Sequence, residues 1–96
     1  MILTVLSALA EPTRLAAIRL LADGDAHCVY EIMQMLGVSQ SRASRHMQVL
    51  KQAGLVVDRR DAQWVRYRLN PDLTAETAAV LRAVLDHETE QQRAVA

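Results

Sequence analysis

Between residues 38 and 55 the chain reads VSQSRASRHMQVLKQAGL, and its polar positions hold Ser, Gln, Arg and His instead of the Glu/Lys mixture of a merely wetted helix. These are hydrogen-bonding side chains with few counter-charges. The hydroxyls of Ser41 and Ser44 are small enough for close approach and serve as donor or acceptor to a phosphate or a base. Arg45 has the reach to hold a guanine edge with two hydrogen bonds, and Gln40 and Gln48 can do the same at an adenine. Arg42, His46 and Lys51 add donors on either side of that set. Ser39 to Ser41 would form the first turn of a helix, whose free N–H groups favour a phosphate. The chemistry is recognition of a polyanion and its bases, with no covalent step.

A second set carries softer chemistry. Cys28 is the only cysteine and so the only thiol ligand. His27 and Glu31 stand four residues apart beside it, giving an N/O/S trio acceptable to a borderline ion such as Zn²⁺. A free cysteine is also an ordinary small hydrophobe, so Cys28 reads either as packing or as a sensing thiol. Near the carboxyl end, DHETE offers Asp86, His87 and Glu90 at i, i+4 and i, i+3 spacing, either as a ligand pair or as a solvated acidic helix end. Catalysis finds no support: there is no glycine-rich phosphate loop, and His27, His46 and His87 are scattered without a nucleophile set.

Charge separates the two sets. The net charge is zero, yet from Ser39 to Arg68 seven basic residues face only Asp58 and Asp61, a local charge of +5. The remainder is acidic to the same extent. A basic block in an acidic frame is the footprint of a nucleic-acid-binding face. Arg59, Arg60, Arg66 and Arg68 in this block are expected to touch phosphates or the minor groove.

Elements must position these residues. Ala43, Met47 and Leu50 fall on one stripe of a helix that Ser39 caps and Gly54 ends, so Ser41, Ser44, Arg45 and Gln48 occupy the opposite arc. Lys51 and Gln52 lie nearer its edges. Before it, VYEIMQML forms a short helix closed by Gly37, and the two make a helix-turn-helix. After it, two strand-like runs around a polar DAQ tip form a β-hairpin. Alternation puts Trp64, Arg66 and Arg68 on one face and Val65, Tyr67 and Leu69 on the core face. Two helices precede these elements: an apolar one at residues 1–9, and a second with Pro12 at its first position and Gly24 at its close. A last helix runs from Thr74 to about Gln92. The expected fold is mainly α with a small β-hairpin wing, a winged helix-turn-helix.

The 96 residues suit one domain, residues 1–96, with a thin core. Hydrophobic residues make up 51% without a single Phe, leaving aliphatic surface for a partner subunit. No apolar run reaches the ~18 residues of a membrane span, no secretory signal is evident, and a lone cysteine fits a reducing cytoplasm.

Three segments, LSALAEPTRLAAIRLL, GVSQSRASRHMQVLKQAGLV and WVRYRL, closely resemble the ArsR/SmtB family of bacterial winged-helix repressors. The resemblance covers nearly the whole chain. It implies a homodimer joined through the first and last helices, bound to an inverted-repeat operator in double-stranded DNA and released by a metal, a metalloid or a redox signal. By position it assigns DNA contacts to Gln40, Ser41, Ser44 and Arg45, with His46 just beyond. As(III)-sensing members use three thiolates, of which only Cys28 is present; Tyr30 and Met33 stand at the other two places. Zn- and Ni-type members place ligands on the last helix, where Asp86, His87 and Glu90 lie, but the second histidine of that pattern is missing. A winged-helix protein-interaction module and a ligand-independent repressor are the alternative readings.

Overall fold

A computed structural model describes residues 1–95, with side chains through His87. The apolar amino terminus forms helix α1 (Ile2–Leu9). Glu11 then caps α2 (Pro12–Leu20) by accepting the Arg14 N–H at 2.9 Å, with Pro12 in the first turn, where no amide donor is needed. A 3₁₀ turn, Leu21–Asp23, ends at Gly24.

Strand β1 (His27–Cys28) leads directly into α3 (Val29–Leu36), and the Cys28 N–H donates to Glu31 Oε1 at 3.1 Å. Gly37 closes α3 at φ +67°, a left-handed conformation that glycine adopts without a Cβ penalty. Ser39 then caps α4 (Gln40–Gln52), its hydroxyl accepting the Arg42 N–H at 3.3 Å. Strands β2 (Val56–Asp61) and β3 (Trp64–Leu69) turn over Ala62 and Gln63, with Ala62 at φ +57°. After Asn70 and Pro71, α5 (Ala75–Val95) begins behind the Thr74 hydroxyl, which accepts the Thr77 N–H at 3.1 Å.

The sheet has three antiparallel strands in the order β1-β3-β2. The hairpin was expected; β1 was not. It pairs His27 with Tyr67 and Cys28 with Arg66, so the start of α3 is hydrogen-bonded to the wing. Two residues are too few to show a period of two, which is why no sequence pattern announces this strand.

One core joins the elements. Ile18 and Leu21, Ile32 of α3, Met47 and Leu50 of α4, and Leu55 and Val56 leading into the wing are all fully buried. Truncating any of the larger ones to Ala costs about 2–5 kcal/mol. Outside the core, α1 leaves Ile2, Leu3 and Leu6 exposed, with Met1 beside them.

Candidate nucleic-acid interface

Because Ala43, Met47 and Leu50 face inward, α4 turns the opposite arc to solvent. Gln40, Ser41, Arg42, Arg45 and Gln48 are exposed, and Ser44 is half-buried beside them. Ser39 spends its hydroxyl on the cap and on Ser41 Oγ at 3.3 Å. The arc read from periodicity is therefore the arc presented.

The wing alternates as expected, and the alternation divides its arginines. Register pairs Arg59 with Arg66 and Val57 with Arg68, so these side chains share the outer face of the β2–β3 ribbon. Asp58 and Tyr67 point the other way, towards α4. Asp58 holds Lys51 Nζ at 3.0 Å, and the Tyr67 hydroxyl meets Gln48. Burial pushes the Tyr67 phenol above its ordinary range, so it stays protonated. Arg60, two residues beyond Asp58, stands on this α4 side. Arg66 is tied to Asp61 at 3.2 Å and lies 3.9 Å from Glu31.

Ion pairing within the block is selective. Lys51 and Arg66 take up Asp58 and Asp61, the two acidic residues of the segment. Among the described residues, Arg42, Arg45, Arg59, Arg60 and Arg68 have no carboxylate partner. The local charge of +5 is thus carried by five uncommitted guanidinium groups on α4 and the wing.

His46 departs from the expectation. It is 15% exposed, with Nδ1 3.2 Å from Arg14 Nη1 and Nε2 3.7 Å from Glu11 Oε2. Those contacts turn its ring from the exposed arc towards the α1–α2 corner. Partial burial works to raise the Glu11 pKa, but the N–H groups of Arg14 and Thr13, helped by His46 and Arg14, hold it below the ordinary glutamate range. Arg14 is the residue that sequence reading missed, since nothing local marks a partner 32 positions away.

The softer set falls in two places: His27, Cys28 and Glu31 meet at the α3 cap, while Asp86 and His87 lie on α5. Cys28 is a half-buried free thiol at the α3 cap. His27 is committed on both ring nitrogens, to Asp23 Oδ2 at 3.0 Å and to Glu31 Oε2 at 3.5 Å. Glu31 lies below its ordinary pKa range, chiefly because it accepts the Cys28 N–H, then through the Cys28 thiol and His27. Asp23 is lowered first by the Asp25 N–H and then by His27. Asp86 and His87 are exposed on α5, and the Glu90 side chain lies outside the described residues. Among the described residues, no group of three or more His, Cys, Asp or Glu side chains could hold a metal ion. No described helix is long and apolar enough to cross a membrane.

Known proteins share this arrangement. Residues 11–57, from α2 into β2, match the family model described as "Bacterial regulatory protein, arsR family". The arsenic resistance transcriptional regulator ArsR1 of Pseudomonas putida is 40% identical over 86 residues, covering 90% of this chain and 67% of that protein. The arsenical resistance operon repressor of Escherichia coli is 36% identical over 87 residues, covering 91% and 74%. Among solved structures, a homodimeric winged helix-turn-helix DNA-binding domain from Mycobacterium bovis superimposes with a TM-score of 0.77 at 30% identity, covering 93% of this chain and 79% of that one. HlyU from Vibrio cholerae gives 0.74 at 33% identity over 85% of each chain. With its helix-turn-helix, its wing and these relatives, the chain belongs to the arsR family of bacterial regulatory proteins: it is a DNA-binding transcription regulator and not an enzyme.

Proposed function

We propose that the protein is a homodimeric repressor that holds an inverted-repeat operator through α4 and the wing and releases it on meeting a metalloid, metal or thiol-reactive signal. The observation that carries the DNA reading is the exposed Ser/Gln arc of α4 with uncommitted Arg42 and Arg45 on the same helix and Arg60 on the wing face turned towards it. Arg45, Gln40 and Gln48 read base edges in the major groove, while Ser41, Ser44, Arg42 and the wing arginines hold phosphates. The exposed apolar side chains of α1 supply a seam for a second copy. The M. bovis neighbour, described as homodimeric, supports that assembly.

Release by As(III) or a related soft ion is supported by the arsenic-resistance relatives. Cys28 would be the thiolate ligand. Within one described chain the donors do not complete a site, so further ligands must come from a small thiol or from the second subunit. Zn²⁺ or Ni²⁺ at Asp86, His87 and Glu90 is the second possibility, favoured only by the spacing of those residues.

The test is operator binding followed by titration with arsenite, antimonite, Zn²⁺, Ni²⁺ and peroxide, run side by side on the wild type and Cys28→Ser. Release by arsenite or oxidant in the wild type alone assigns the effector to Cys28. An equal response in both moves it to α5. No release by any of them makes the protein a ligand-independent repressor.

A further inference from the structure

Three half-buried side chains meet where α1, α2 and α4 converge, and their geometry is more than a cap. The Arg14 guanidinium turns one edge to the end of α1, with Nε donating to the Ala8 carbonyl at 2.7 Å and Nη2 to the Ser7 carbonyl at 3.4 Å. Both carbonyls belong to the last turn, where helical carbonyls run out of intrahelical donors; the Ser7 carbonyl also accepts the Ala10 N–H at 3.3 Å. Its remaining nitrogen, Nη1, reaches His46 Nδ1 at 3.2 Å, in the middle of α4. Glu11 steadies both partners, accepting the Arg14 N–H at 2.9 Å and lying 3.7 Å from His46 Nε2. A guanidinium only donates, so Nδ1 is the lone-pair nitrogen and Nε2 carries the proton towards Glu11. One planar group therefore joins the helix that exposes an apolar face to the helix that carries the DNA arc. His46 follows Arg45 directly and lies one turn after Arg42.

We infer that the Arg14–His46 contact, oriented by Glu11, is a positioning link through which the seating of α1 sets the pitch of α4 against DNA. The inference rests on the dimeric, operator-binding reading. If α1 forms the seam between subunits, this link relates the seam to the two recognition helices, whose mutual angle must suit two half-sites. A lysine at position 14 keeps the charge but cannot cap α1 edge-on and reach His46 at once.

The experiment measures affinity for operator and for random DNA, dimer dissociation and thermal unfolding in Arg14→Lys, His46→Asn, His46→Gln and the Arg14→Lys/His46→Gln double variant. Asn places an oxygen near the Nδ1 position, whereas Gln carries its amide to the Nε2 position and leaves nothing facing Arg14. The link predicts about tenfold weaker operator binding for His46→Gln and for Arg14→Lys, with little change on random DNA. It predicts near wild-type binding for His46→Asn, and a double variant no worse than the weaker single. His46→Asn as weak as His46→Gln would overturn the link, as would losses that multiply in the double variant or fall equally on random DNA. Wild-type protein with no preference for any operator would overturn the repressor reading itself, a result separate from all of these.

Discussion

Arg45 is exposed on the outer arc of α4 and has no carboxylate to hold it. If it reads a base edge, Arg45→Ala should cost about 1–3 kcal/mol on the operator and relax preference at one or two base positions, as measured by competition against single-base variants. Equal losses on operator and random DNA would reduce it to a phosphate contact. At this scale the outer arc was legible, because a helix of known phase fixes which side chains turn outward. His46 was not legible as a core-side residue: it adjoins the arc in sequence, and its partners Glu11 and Arg14 are brought to it by the fold. Cys28 was placed correctly before α3, but its strand pairing with Arg66 gives an event there a direct route to the wing. Cys28→Ser should leave operator affinity within about twofold, since a small exchange that leaves the backbone pairing intact falls among the mild substitutions; quantitative binding isotherms check it.

The elbow between α3 and α4 depends on Gly37. No atom crowds the position a Cβ would occupy there, so the cost of Gly37→Ala is the left-handed backbone alone. About 1–2 kcal/mol of stability should be lost, read from the urea midpoint at unchanged slope. The amino end of α3 makes a pH prediction. Glu31 is held below its ordinary range in the folded chain, so its contribution is present above the unfolded glutamate pKa and is lost as pH falls through the lower folded value. Glu31→Gln should therefore flatten the fall in stability below about pH 4.5 and leave the profile near neutrality parallel to wild type; thermal unfolding across pH would show it. In the wing, Arg60 shares the α4 side with Asp58 while Arg59 lies on the outer face. Arg60→Ala should lower the slope of log affinity against log salt by about one, and Arg59→Ala by less. The alternation behind this contrast was present in the strand pattern. The side of β2 that meets α4 became known only through the Lys51–Asp58 and Gln48–Tyr67 contacts.

At the scale of the molecule, helix order, wing and basic block followed from capping residues, glycines and charge, each a local signal. What covers α1 did not, because an apolar face on a single chain names no partner. Exposed Ile2, Leu3 and Leu6 gain a purpose in a two-fold dimer, which would set its recognition helices about 34–36 Å apart, one turn of DNA. The most direct measurement is a footprint combined with binding stoichiometry on DNA fragments selected from a random pool. The account predicts an inverted repeat protected in two adjacent major grooves by two chains, with at least about a thousandfold preference over random DNA at physiological salt. A single protected half-site bound by one chain, or no sequence enriched at all, would contradict it.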